Sequence, residues 1–250
     1  MQKLRLMGLS KFWIIEFQKK NYEKYTLKLS GEKMTKDYFN SIYDKFWEKQ
    51  TKVYGVTRYE KYIIHEIVKR KPKKVFEVGI GNGWPIGVAL YQNDIKVCGC
   101  DVAKRLVESA RKNLHNDEIW VGELKNIETG CKYDAVYCVR TSWYIPNFKE
   151  VLDQMIPMIN EDGYLIFDIM ERNSLYFWKM SWDKLKTNLC KVINLERDGE
   201  RKLFFYSQRK IDKLLQNNGL IFYSYNERKI TKSQDHWNTP KRVYVCKRGK

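Results

Sequence analysis

The stretch Lys74-Val-Phe-Glu-Val-Gly-Ile-Gly-Asn-Gly-Trp-Pro85 decides the fold. Its first five residues form an apolar, β-rich run, which then breaks into glycines at alternate positions, Gly79, Gly81 and Gly83. Glycines so placed let the backbone turn sharply and come close to a ligand. Pro85 follows, where its fixed φ and missing N–H suit the first turn of a helix. Strand, glycine turn and helix open a βαβ unit, and the chain beyond keeps the alternation. Ile95 to Cys100 reads as a second strand ending at Asp101. Residues 103–114 read as a helix with Leu106, Val107 and Ala110 on one face. Glu118 to Val121 and Ala135 to Val139 read as strands three and four. Phe148 to Ile159 carries Val151, Leu152, Met155 and Ile159 at helical spacing. Asp162-Gly163 then turns the chain into a fifth strand, Tyr164 to Phe167. Near-continuous apolar strands of this kind are buried on both faces, as in a doubly wound parallel sheet.

Downstream, Cys190 to Leu195 and Lys202 to Tyr206 surround Arg197-Asp-Gly199, the pattern of an antiparallel hairpin. Ser207 suits the N-cap of a helix through Leu215, and Gly219 its stop. Leu220 to Tyr223 and Arg242 to Cys246 supply two more strands. Upstream, residues 1–70 read as a helical extension with an unusually apolar start, from Leu4 to Phe17, suited to packing on the domain, a second subunit or a membrane surface. The expected architecture is α/β: a Rossmann-like, doubly wound, seven-stranded sheet with an N-terminal helical extension (1–70) and a hairpin cap inserted at 171–206 of a domain spanning 71–250.

The net charge of +17 is unevenly spread. Residues 1–74 carry 19 Lys+Arg against 8 Asp+Glu, residues 75–170 carry 9 against 14, and residues 171–250 carry 19 against 8. Two basic flanks therefore enclose a mildly acidic middle, so the charge belongs to the parts around a central site. The Lys69 to Lys74 run just before strand one reads as a solvated connection. No apolar run is long enough to span a membrane, and the N-terminus lacks a signal peptide's layout, which points to the cytoplasm. The six cysteines form no CxxC pair. They read as reduced thiols, with Cys98 and Cys100 on one face of a buried strand, and no metal site is expected.

Asp101 lies 18 residues beyond Gly83 at the end of the second strand, where a carboxylate can accept hydrogen bonds from both hydroxyls of a ribose. The spacing GxGxG, with Glu77 two residues before the first glycine, would oppose a pyrophosphate and favours a cationic ligand. These residues resemble the class I S-adenosylmethionine (SAM)-dependent methyltransferases, from about Lys74 to the C-terminus. Glu77 to Gly83 is similar to the family's first motif, Asp101-Val102 to its ribose-binding acid and the residue after it. Gly122-Glu123-Leu124 is similar to the turn that reads the adenine. The resemblance implies that Glu77, Gly79, Gly81, Gly83, Asp101, Val102, Glu123 and Leu124 hold SAM, with S-adenosylhomocysteine (SAH) as product. It also implies that Arg140 to Tyr144, after strand four, lie nearest the transferred methyl.

Arg140 cannot serve as a base, but its guanidinium fork binds carboxylate or phosphate oxygens. It is read as orienting an anionic acceptor or, equally, as pairing with an acid near the cofactor. Tyr144 and His236 are the further catalytic candidates, with a solvated loop as the alternative for His236. His65 reads as half-buried packing and His115 as a helix cap. Tyr54, for the cofactor, and Tyr59, for the substrate, stand where lid residues of this family close over the methionine end, core packing being the competing reading. Trp84 and Trp143 are candidate shields of the cofactor or acceptor from water, Trp143 on the substrate side, with ordinary helix packing as the equal alternative. Strand four ends without a Pro-Pro-aromatic or Pro-Cys motif, which argues against nucleobase methylation. The function expected is methyl transfer to an oxygen of a small anionic acceptor. A sugar, nucleotide-linked or phosphate-bearing precursor would qualify, with a loose similarity to methyltransferases of capsule and polysaccharide tailoring. A homodimer through 1–70 or 171–206 is the possible partner arrangement. An RNA methyltransferase using the basic flanks is the alternative, and an inactive binding subunit a remote third.

Overall fold

A computed structural model describes residues 56–172, 181, 204–226 and 241–249. The expected helices before residue 56, the hairpin around Asp198-Gly199, Tyr54 and His236 lie outside the described residues.

The chain enters at helix α1 (Arg58–Val68), started by a capping box. The Thr57 hydroxyl receives the Glu60 amide, while the Glu60 carboxylate receives the Thr57 amide. Tyr59, Ile63 and Ile67 fall at helical spacing and are fully buried. Each isoleucine so removed from water contributes about 2 kcal/mol. They pack with Val75, Tyr137, Ile166 and Val243 of the sheet. There follow β1 (Lys74–Val78), α2 (Ile86–Tyr91), β2 (Lys96–Asp101), α3 (Lys104–Leu114) and β3 (Ile119–Val121). Then come β4 (Tyr133–Cys138), α4 (Phe148–Met155), β5 (Ile159–Met170), α5 (Gln208–Asn217), β6 (Leu220–Asn226) and β7 (Lys241–Arg248).

The seven strands form one sheet in the order β3-β2-β1-β4-β5-β7-β6. The pairs from β3 to β5 are parallel, and β7 lies antiparallel between β5 and β6. Strand order reverses between β1 and β4, so the loops leaving their carboxyl ends diverge and leave a crevice there. Cys98, Cys100, Cys138 and Cys246 are buried in a cluster with Phe76, Phe148 and Phe167. Among the described residues no group of side chains has a metal-holding arrangement.

Four local expectations need correction. The helix expected over Phe148 to Ile159 stops at Met155. Pro157 has no N–H to continue the ladder, so the chain tightens into a 3-10 turn, Ile156–Met158. Ile159 is instead the first residue of β5, opposite Tyr133. The Asn160 to Gly163 turn is a bulge within β5, where the register shifts between Tyr133 and Ala135. Pro85 takes the N-cap of α2 rather than a position inside it. His115 ends α3 in a left-handed conformation, φ 47°, and His65 is exposed on α1 rather than half-buried.

Candidate active site

The crevice holds a cavity of about 450 Å3, lined by the glycine loop after β1, the ends of β2 and β4, the turn after β3 and one face of α4. Gly79, Gly81 and Gly83 take φ of 77°, 57° and 80°, a region L side chains avoid. Their tasks differ. A Cβ on Gly79 would come within 2.3 Å of the Thr141 side chain, so this glycine lets the loop after β4 pack onto the loop after β1. A Cβ on Gly81 would meet nothing within 4 Å. Gly83 stands outside the lining and packs against Leu114 of α3, which a Cβ would approach to 3.0 Å.

Asp101 fastens this loop to β2. One carboxylate oxygen accepts the Gly81 amide at 2.9 Å and the other the Ala103 amide at 2.9 Å. Burial raises its pKa, and these backbone bonds oppose the rise. A carboxylate offers about four lone-pair sites, so acceptor capacity remains for a ligand's hydroxyls. Glu77 lies deeper. The Tyr137 hydroxyl donates to it at 2.9 Å, yet burial, aided by nearby Asp101, pushes its carboxyl well above the ordinary range. A cationic group in the cavity would favour its ionised form. Leu124 is a buried wall residue, whereas Glu123 is exposed and pairs with Lys125 at 2.7 Å.

At the end of β4, Arg140 is left-handed, φ 61°. Its amide donates to both oxygens of Asp168, at 2.9 and 3.1 Å. Its guanidinium pairs with Glu60 at 2.6 Å and reaches the Thr57 hydroxyl at 3.4 Å. Tyr144 lines the cavity half-buried. Trp143 is buried outside the lining, with the Lys241 ammonium 5.1 Å from its ring. Tyr59 is also outside the lining: it is fully buried, and its hydroxyl donates to Asp168 at 2.5 Å. The Tyr206 hydroxyl donates to the Ile145 carbonyl and so holds the loop between β4 and α4.

One cavity thus gathers Glu77, Gly79, Gly81, Asp101, Val102, Glu123, Leu124, Arg140 and Tyr144, and leaves Gly83, Tyr59 and Trp143 behind its walls. Sequence reasoning missed Glu60, Gln154 and Asp168. The Thr57-x-x-Glu60 spacing of a capping box was a legible signal for Glu60. Asp168, an acid in an otherwise apolar strand, was a legible anomaly too. Gln154 on α4 carried no signal.

The residues present suit SAM. Five acids, Glu60, Glu77, Asp101, Glu123 and Glu150, face the cavity against Lys125 and Arg140, an excess that favours a sulfonium and an ammonium. Three buried polar atoms of its lining residues, Trp84 Nε1, Arg140 Nε and Gln154 Oε1, lack a partner in the protein, as the walls of a site for a polar ligand would. Val102 and Leu124 provide apolar surface beside Asp101 for a purine.

Sheet order and cavity together define a class I, SAM-dependent methyltransferase. A family model described as "methyltransferase domain" matches residues 54–224, and the chain belongs to that family. Among similar solved structures is magnesium protoporphyrin IX methyltransferase from Synechocystis with bound SAH. It has a TM-score of 0.64 and 16% identity, covering 86% of this chain and 98% of that one. A SAM-dependent methyltransferase from Clostridium acetobutylicum matches with TM-score 0.58 and 16% identity, covering 83% and 99%. A possible histamine N-methyltransferase from Thermotoga maritima matches with TM-score 0.57 and 19% identity, covering 85% and 98%.

Proposed function

We propose that this methyltransferase acts on an oxygen of a small, anionic acceptor, such as a sugar, nucleotide-linked, phosphate- or phosphoramidate-bearing precursor. The observation that carries the reading is Arg140, a cation at the end of β4 whose side chain is 26% exposed on the cavity wall. When bound, SAM supplies an electrophilic methyl on a sulfonium. The protein's own task is then alignment and exclusion of water. An acceptor oxygen that is already anionic needs no strong base. Among the described residues no histidine lines the cavity. Arg140 would bind the acceptor's charge through the part of its fork that Glu60 leaves open, and Tyr144 would bound the acceptor beside it. Of the neighbours named above, one is by name a porphyrin methyltransferase and another a possible histamine N-methyltransferase, so the fold itself does not select the acceptor. A lid within residues 1–70, a cap or dimer contact within 171–206, a role for Tyr54 or His236 and a cytoplasmic setting belong to the same proposal.

Transfer of labelled methyl from SAM tests it, using sugar phosphates and nucleotide sugars beside their neutral counterparts and generic RNA. Label entering only the anionic small molecules, with an acceptor KM raised about tenfold or more by Arg140→Leu, is the expected result. Equal labelling of the neutral counterparts, labelling of RNA alone, or an unchanged acceptor KM in the variant would refute it.

A further inference from the structure

Asp168 is a fully buried carboxylate outside the lining of this cavity, yet it meets groups from α1, the turn after β4 and β7. It stands on β5 one residue past Phe167, whose partner Cys138 is the last residue of β4. Beyond that pair the ladder has no further rung, and the Asp168 side chain takes over by accepting the Arg140 amide with both oxygens. The Tyr59 hydroxyl of α1 donates to the same carboxylate, and Lys241 of β7 faces it as a charge.

We propose that Asp168 is a positioning residue for the cofactor site, which fixes the left-handed turn after β4 and, through Thr141, the glycine loop. The inference rests on the SAM reading of the cavity. The coupling is mechanical. Arg140 adopts a backbone conformation that side-chain-bearing residues rarely take, so it must be held there from outside. The next residue, Thr141, fills the space above Gly79, and its hydroxyl lies 3.4 Å from the Gly79 carbonyl. On its other side the loop is pinned to β2, by the Gly79 and Ile80 amides on the Cys100 carbonyl and the Gly81 amide on Asp101. Release of Arg140 lifts Thr141 from Gly79 and frees one of the two sides of the SAM cradle.

The titration of Asp168 gives this device a signature. Burial pushes its carboxyl up to about 6, against the pull of the Tyr59 hydroxyl, Lys241 and Arg140. Cys138 of β4, the other titratable group beside it, is itself pushed up by burial and by Asp168 and stays a thiol. Below pH 6 a proton occupies one oxygen. The neutral carboxyl, its charge gone and one oxygen now a donor, holds the Tyr59 hydroxyl and the Arg140 amide more weakly.

Calorimetric titration of SAH into the full chain between pH 5 and 8 tests the proposal, with Asp168→Asn and Tyr59→Phe beside the wild type. Asp168→Asn is expected to bind SAH about tenfold more weakly at pH 7.5, the usual effect of one lost bond to a charged group. The ratio of its affinity to the wild type should approach one as pH falls through 6, because the wild type then becomes neutral too. That ratio cancels the titration of Glu77 and Asp101, which both proteins share. Tyr59→Phe removes a bond that favours the ionised form and should move the wild-type inflection to higher pH. Near-unity affinity of folded Asp168→Asn at pH 7.5, a ratio flat in pH, or an unmoved inflection in Tyr59→Phe would overturn the proposal. If Asp168→Asn does not fold, the Tyr59→Phe inflection decides alone. A wild type that binds no SAH overturns the cofactor reading itself and the proposal with it.

Discussion

Arg140→Leu should destabilise the protein well beyond what a surface arginine would. The guanidinium and the Glu60 carboxylate meet at 2.6 Å, with side-chain exposures of 26% and 3%. At an effective dielectric of about 20 that separation corresponds to about 6 kcal/mol of attraction, of which desolvation of the two groups returns more than half. Removal of the arginine alone leaves Glu60 buried with only its Thr57 amide and hydroxyl bonds, at 2.8 and 2.9 Å. The expected loss is about 3 kcal/mol for Arg140→Leu and about 1–2 kcal/mol for Glu60→Gln, with a coupling of about 2 kcal/mol between them. Urea unfolding of the two single variants and the double variant at pH 7 measures this cycle. A coupling below about 0.5 kcal/mol, the value of an exposed pair, would refute the placement of Arg140 against α1.

Other outcomes follow from single residues. Gly79→Ala should cost SAH binding at least tenfold and destabilise the fold, because its Cβ would lie 2.3 Å from Thr141 at φ 77°; calorimetry and thermal unfolding check both. Glu118 is held down to about 2 by Lys74 and Lys96, so its contribution is present above the ordinary carboxylate value of 4.5 and disappears as pH falls towards 2. The destabilisation caused by Glu118→Gln in urea should therefore shrink steadily below pH 4.5, and a constant difference would exclude this pairing. Thiol labelling of the native protein at pH 8, mapped by mass, should modify Cys131, which is exposed. It should spare Cys98, Cys100, Cys138 and Cys246 until unfolding, since they are buried and burial raises their pKa.

The legible and illegible parts of the site differ by the range of the interactions that build them. The glycine loop and Asp101 were legible because turn geometry and strand ends are written in neighbouring residues. The end of α4 is not legible from hydrophobic spacing, which runs on through Ile159, while Pro157 sets the actual limit. The resemblance places Glu123 at the adenine, and the structure puts it on the cavity lining, where its exposed carboxylate pairs with Lys125. For Tyr59 the sequence leaves both lid and core open. Its burial on α1 depends on the packing of that helix against Tyr137, Ile166 and Val243, none of which lies near it in sequence.

The sequence alone determined a parallel sheet, a glycine cradle opening on its carboxyl end and an acid at the end of β2, since each depends on contacts within a few residues or on a repeating pattern. Only the tertiary structure decided what holds the opposite wall. Tyr59 meets Asp168 across 109 residues of chain, and Arg140 meets Thr57 across 83. Such partners are set by which strands lie side by side and where a buried carboxylate must find its donors, and the strand order that brings them together is a property of the folded chain.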